Sequence, residues 1–378
     1  RISPDFSGSQ TVLGKHLLQL TGSFGKDFTP LAQWIYNYVY DGTTPVNIWL
    51  EYEKEPSCQL QLRIQFFQSG AIGDLVKEII YSEDDLKEPI LLDEFERYYL
   101  AFCLEAKGEG ELKIGALHKR YSHGPFGEMT VGAQTLRDSK RQEIFAYFHP
   151  GDMKPPLNIY FSGYRPAEGF EGFVMMRRMG SPFILFSDPR LEGGSFYMGS
   201  QELEDQIVAY IDQYLDWLGF GPKEMNFSGL SMGTFGALYY GSSYSPHAIL
   251  VGKPIVNLGD VAANLKFKRP DEFGTSLDMM QLLVGQVSRE GIDLLNQRFW
   301  DRFNQADLKD TILAMAYMRD DDYDQLAYPK ILEALYDHPV RIISSSRPGR
   351  HNDASAPIVE WFLTQYKEIM ERDFGRIE

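Results

Sequence analysis

The stretch Gly229-Leu230-Ser231-Met232-Gly233 restricts the local fold more than any other part of the chain. Met225 and Phe227 give an apolar run before it, and the small-residue, helix-prone run 234–240 follows. Strand, sharp turn and helix is the context in which a G-x-S-x-G sequence forms a nucleophile elbow. Such a turn lifts the serine hydroxyl at its tip. The flanking glycines leave room where a side chain would strike the neighbouring strand or helix. Gly and Ser are abundant, so the same pattern also occurs in plain glycine-rich turns. A reactive Ser231 therefore needs partners elsewhere in the sequence.

The chain around the motif reads as two halves. Segments 46–52, 59–66, 98–104 and 111–118 alternate apolar and polar residues at period two, the last two parted by a turn at Gly108 and Gly110. Closely spaced alternating strands suggest an antiparallel β-sandwich of jelly-roll type over 1–150. Such a module is carbohydrate-binding in some proteins and a structural appendage in others. His149-Pro150-Gly151-Asp152-Met153-Lys154-Pro155-Pro156 interrupts helix and central strand alike, which sets the boundary. Beyond it strands alternate with helices: strands at 157–161, 182–186, 225–227, 247–251, 312–318 and 340–344, helices at 201–218 and 357–371. That alternation predicts a doubly wound, mostly parallel α/β sheet over 151–378. A mostly helical insertion at about 253–310 breaks it, either as a cap on the site or as an excursion away from it.

A serine hydroxyl needs a base within hydrogen-bond reach, and the base needs an orienting carboxylate. In α/β-hydrolases the order along the chain is Ser, then Asp or Glu, then His. His16, His118, His123 and His149 precede Ser231, His247 opens the next strand, and His338 precedes a strand. His351 follows the strand 340–344 across a short loop, at the carboxyl end of the sheet where such sites collect. It is the candidate general base. Strand 312–318 runs into Arg319-Asp320-Asp321-Asp322-Tyr323-Asp324. Asp321, three residues past Met318, is the candidate acid, with Asp320, Asp322 and Asp324 as alternatives. The oxyanion donors expected are the backbone N–H of Met232 and that of Tyr164 after strand 157–161, with Gly163 as the alternative to Tyr164. One such donor contributes about 3–4 kcal/mol of transition-state stabilisation.

Composition excludes other classes. With 37 basic and 53 acidic residues the net charge is −16, the wrong sign for a nucleic-acid footprint or an anionic lipid surface. No apolar run reaches the roughly 20 residues of a membrane helix. No H-E-x-x-H, C-x-x-C or P-loop occurs, so neither a metal nor a tightly bound cofactor is expected. Cys58 and Cys103 are expected to be reduced thiols of a cytoplasmic protein. The start at Arg1 rather than Met points to an N-terminal truncation.

The blocks 157–165, 226–236 and 252–260 together resemble the accessory Sec system proteins that act as O-acetyltransferases. That family serves a dedicated Gram-positive export route for serine-rich-repeat glycoprotein adhesins. The resemblance implies an α/β-hydrolase-like core with an added β domain similar to a carbohydrate-binding module. It implies O-acetylation of N-acetylglucosamine on the adhesin from an acetyl donor. It also implies a second, non-enzymatic part in export, with two sister accessory Sec proteins and the accessory Sec motor and channel as partners. The implied location is cytoplasmic, peripheral to the membrane through the export machinery. Ser231 is then the nucleophile, His351 the base, and the acid lies among Asp320–Asp324. The same residues suit a carbohydrate esterase or deacetylase, and a non-catalytic export adaptor is the reading from another class.

Overall fold

The computed structural model describes residues 1–376 apart from 35–37, 69, 71–73, 192 and 269–275. Backbone contacts divide it into two units, Arg1–Ala133 and Gln134–Glu378.

The first unit holds strands β1 (Ser9–Val12), β2 (Leu18–Gln33), β3 (Tyr38–Tyr40), β4 (Val46–Lys54), β5 (Cys58–Gln68), β6 (Leu75–Ser82), β7 (Ile90–Leu92) and β8 (Tyr98–Tyr121). All their pairings are antiparallel. Residues 98–108 of β8 pair with β5, 103–114 with β2 and 112–121 with β4. The two strands expected at 98–104 and 111–118 are thus one strand of 24 residues. Gly108 and Gly110 lie within it at φ +93° and +120° and do not turn the chain back. β8 joins every strand of the unit into one hydrogen-bonded network. Alternation in β5 buries Cys58, Leu60, Leu62, Ile64 and Phe66 and leaves the polar residues between them partly or fully exposed. Two apolar clusters result, one around Leu62, Ile64 and Phe66, the other around Leu20, Leu60 and Leu104.

The second sheet begins earlier than expected. Strands β9 (Ala133–Arg137) and β10 (Glu143–His149) belong to it, so the boundary expected at 150 falls inside the second unit. Then come β11 (Leu157–Phe161), α1 (Phe173–Arg178), β12 (Phe183–Ser187), α2 (Gln201–Leu218), β13 (Met225–Leu230), α3 (Met232–Gly241) and β14 (Ala248–Gly252). The insertion contributes α4 (Leu258–Lys268), α5 (Ser276–Val284) and α6 (Arg289–Phe303), with 269–275 outside the described residues. Strand β15 (Ile312–Met318), α7 (Ala327–Ala334), β16 (Arg341–Arg347) and α8 (Ser355–Phe374) complete the unit.

The strand order is β16-β15-β14-β13-β11-β12-β10-β9. Strands β11 to β16 are parallel, and β10 is antiparallel to β12. This is the α/β arrangement expected of residues 151–378. β11, β12 and β14 are buried along their whole length, as a sheet covered on both faces requires. The chain leaves β11 toward β12 on one side and leaves β13 toward β14 on the other. That reversal opens a crevice at the carboxyl ends of β11 and β13, where ligands bind in open α/β sheets. Helix α6 lies on α3, with the Phe299 ring 5.4 Å from that of Phe235. No described helix is long and apolar enough to cross a membrane.

A Cβ on Gly108 would lie 2.1 Å from the carbonyl oxygen of Ser57, at a φ that L-residues avoid. Gly108→Ala is expected to destabilise the first unit by about 1–3 kcal/mol. Urea denaturation followed by tryptophan fluorescence checks this, and an unchanged midpoint would contradict it.

Candidate active site

Both sides of the crevice come from loops that follow sheet strands. Ser231 stands between the end of β13 and the first residue of α3, at φ 51° and ψ −118°. This backbone region is sparsely populated and persists only where surroundings enforce it. Here they do. The Ser231 N–H donates to the Gly252 carbonyl at the end of β14, 2.8 Å away. The Ser231 carbonyl accepts from the Thr234 hydroxyl at 2.6 Å, and that hydroxyl in turn accepts the Ile255 N–H at 3.0 Å. A Cβ on Gly229 would lie 2.3 Å from the Gly233 carbonyl oxygen, and one on Gly233 would lie 2.0 Å from that of Phe161. Glycine at both positions is therefore a packing requirement of the turn.

Three side chains from three loops meet above this turn. Ser231 Oγ is 2.8 Å from His351 Nε2, and His351 Nδ1 is 2.8 Å from Asp321 Oδ2. His351 is only 1% exposed and Asp321 7%, whereas Ser231 is partly exposed. The Tyr323 ring lies 4.4 Å from the imidazole and closes one side of it. Burial pushes the Asp321 carboxyl up. The hydrogen bond and charge of His351, with the N–H groups of Tyr323 and Asp324, outweigh that and hold it below the usual carboxylate range.

The acidic run 320–324 divides into separate tasks. Asp321 faces His351 Nδ1. Asp322 accepts the His351 N–H at 3.1 Å, and Asp320 accepts the Gly349 N–H at 3.2 Å, so both brace the histidine loop by its backbone. Asp324 turns the other way and accepts from Val256 N–H, Asn257 N–H and Asn257 Nδ2 at 2.7–2.8 Å. Burial raises the Asp324 carboxyl above its ordinary range despite these donors.

Met232 is the first residue of α3, where a backbone N–H has no acceptor within the helix. Across the crevice, Gly163 donates its N–H to Glu171 Oε2 at 2.6 Å, so the alternative oxyanion donor is engaged. Tyr164, the next residue, is half exposed, and its ring lies against Gly193. Glu171 also accepts the Tyr160 hydroxyl at 3.0 Å and gives its own N–H to Ser162 Oγ at 3.0 Å. It ties the loop after β11 to its strand. Nothing in the polar run 163–172 marked Glu171 in the sequence. The other histidines lie elsewhere: His118 on Glu51 and His247 on Asp373, each at 2.8 Å or less. Among the described residues, no group of three or more His, Cys, Asp or Glu could hold a metal ion.

Comparison with known proteins places the chain. The family model for the accessory Sec system GspB-transporter matches residues 1–376. An accessory Sec system protein of Streptococcus gordonii is 47% identical over 375 residues, 99% of this chain and 74% of the relative. Its Staphylococcus aureus counterpart is 46% identical over 379 residues, 100% of this chain and 72% of the relative. Among solved structures, a chain of the Glycosylation Associate Protein (Gap123) complex from Streptococcus agalactiae is 40% identical with a TM-score of 0.97, covering 100% of this chain and 73% of that one.

The two buried aspartates are separable by substitution. Asp321→Asn is expected to keep the fold and slow labelling of Ser231 by a fluorophosphonate about 10³–10⁴-fold, because the amide favours the wrong imidazole tautomer. Asp324→Asn is expected to lower the melting temperature through the 256–257 loop and to slow labelling far less. Equal losses in the two would remove Asp321 from its special place. The sign with pH follows from the depressed Asp321 carboxyl: its contribution to stability is complete above the ordinary carboxylate pKa and fades as pH falls through the folded value. The melting temperature of Asp321→Asn, measured against the native chain across the acid range, should converge on it at low pH.

Proposed function

The chain belongs to the accessory Sec system GspB-transporter family, and we propose that within it this chain is a serine-dependent O-acetyltransferase. The acceptor is a hydroxyl of N-acetylglucosamine on a serine-rich-repeat glycoprotein. The observation that carries the reading is the Ser231–His351–Asp321 relay, with 2.8 Å at each link, on a strained elbow at the carboxyl end of the sheet.

In the first half-reaction His351 Nε2 takes the Ser231 proton as Oγ bonds to the carbonyl carbon of an acetyl donor. Asp321 keeps Nδ1 protonated and stabilises the imidazolium without taking the proton. The oxyanion is held by the N–H groups of Met232 and Tyr164. Collapse breaks the bond to the donor's leaving group, which receives the proton from His351. In the second half-reaction the sugar hydroxyl gives its proton to His351 and attacks acetyl-Ser231. The Ser231 C–O bond breaks and Oγ recovers the proton. Exclusion of water and binding of the acceptor are what set transfer apart from hydrolysis in this scheme.

We assign the same chain a second part, in export, beside two sister accessory Sec proteins and the accessory Sec motor and channel. The support is family membership and the likeness to a chain of a multi-protein complex. Neither part calls for a tightly bound cofactor, and the location proposed is the cytoplasmic side of the membrane.

Ser231→Ala tests the catalytic part. Mass spectrometry of the adhesin glycans is expected to find O-acetyl groups on N-acetylglucosamine in cells with the native chain. In cells with the variant they should be lost, with adhesin still exported. A labelled acetyl donor should leave its acyl group on Ser231 of the native chain alone. Acetylation at the native level in the variant would overturn the enzyme reading. Acyl-Ser231 that forms but passes only to water would make the chain an esterase.

A further inference from the structure

Lys253 breaks three local rules at once. It follows β14 directly, at φ +61°, in the left-handed region that favours glycine. Its side chain is buried, with the residue 8% exposed. Its ammonium lies 3.0 Å from Ser355 Oγ, at the first residue of α8, where a helix dipole disfavours a cation. A residue placed for stability alone would be glycine here, and no lysine would be buried against a helix N-terminus. Rule-breaking of this kind collects at functional sites.

The contacts of Lys253 span the relay. Its N–H donates to the Ala316 carbonyl on β15, the strand that leads to Asp321, at 2.8 Å. The preceding carbonyl, that of Gly252, accepts the Ser231 N–H. Its ammonium reaches Ser355, which closes the loop 348–354 that carries His351. Two adjacent residues thus fix the nucleophile, the acid strand and the histidine loop relative to one another. The charges of two carboxylates, Asp321 and Glu171, act on the ammonium. Asp321 belongs to the relay, and Glu171 holds the loop carrying Tyr164. Burial lowers the Lys253 pKa, and both carboxylates oppose that shift. The other polar group on the side chain is the Ser355 hydroxyl.

We propose that Lys253 is a positioning residue of the relay: its ammonium, through Ser355, holds the His351 loop at hydrogen-bond distance from Ser231. It touches neither donor nor acceptor. The inference rests on the catalytic reading of Ser231.

Lys253→Gly and Lys253→Met test it on the whole chain, with fluorophosphonate labelling of Ser231 as the readout. Glycine relieves the backbone and is expected to hold or raise the melting temperature. Both variants are expected to label at least tenfold more slowly, and methylammonium, unlike methanol, is expected to restore part of the rate in the glycine variant. Ser355→Ala should give a smaller loss that does not add to that of Lys253→Met. A native labelling rate in Lys253→Gly would overturn the proposal, as would equal rescue by methanol. If the native chain itself is not labelled, the failure lies with the catalytic reading and not with Lys253.

Discussion

The close approach of Gly233 to the Phe161 carbonyl is the contact on which the site depends. Strands β11 and β13 are hydrogen-bonded neighbours, and α3 must start over the end of β11 with no side chain between. Only then can Ser231 occupy a turn at φ 51° with its N–H on the Gly252 carbonyl. The hydroxyl projects from the sheet at the point where strand order reverses, and the loop after β11 stands opposite. The crevice, the nucleophile and the expected oxyanion loop are therefore consequences of one backbone geometry. A Cβ at Gly233 would act on all three together.

Much of this was legible, and what was legible had short-range causes. Fully apolar runs such as 157–161 read as buried parallel strands because both faces are covered. The elbow read from its own five residues. The choice of His351 came from chain order and from its place after a strand. In the first unit the reading failed where glycine is ambiguous. Gly108 and Gly110 signal a turn by composition, yet they lie at positive φ inside β8, opposite irregular pairing in β2, and only cross-strand pairing decides between the two. The boundary failed for a similar reason. The segment 149–156 does stop a strand, but β10 before it pairs with β12 after it, and such long-range pairing leaves no local mark.

The acidic run shows the same limit from the side of chemistry. Distance from the strand end favoured Asp321, but four carboxylates in five residues carry no other mark of their separate tasks. The fold assigns them by direction: Asp321 to the imidazole, Asp320 and Asp322 to the backbone of the histidine loop, Asp324 to the start of the insertion. Three aspartates therefore serve to place groups that a fourth uses. Placing Asp324 inside the protein has a cost, which its carboxyl, raised by burial, registers. The N–H donors that surround each carboxylate offset part of it.

Backbone strain follows the same map. Leu191, Phe196 and Tyr197 in the loop after β12, Ser231 after β13 and Lys253 after β14 all take positive φ. Each such residue costs on the order of 1–3 kcal/mol, so strain at the carboxyl ends of β12, β13 and β14 must be offset by packing and pairing. The loop after β12 illustrates how. Asp188 accepts from Arg190 Nε and Nη2 and from the N–H groups of Ser195 and Tyr197, at 2.7–2.9 Å, wholly inside the protein. Apolar residues of similar volume could fill that space at least as stably. They could not hold the backbone of Ser195 and Tyr197 in a single conformation. Gly194, just before Ser195, leaves room for the Met232 side chain beside it. The buried pair thus fixes the loop that passes Met232, the residue next to Ser231.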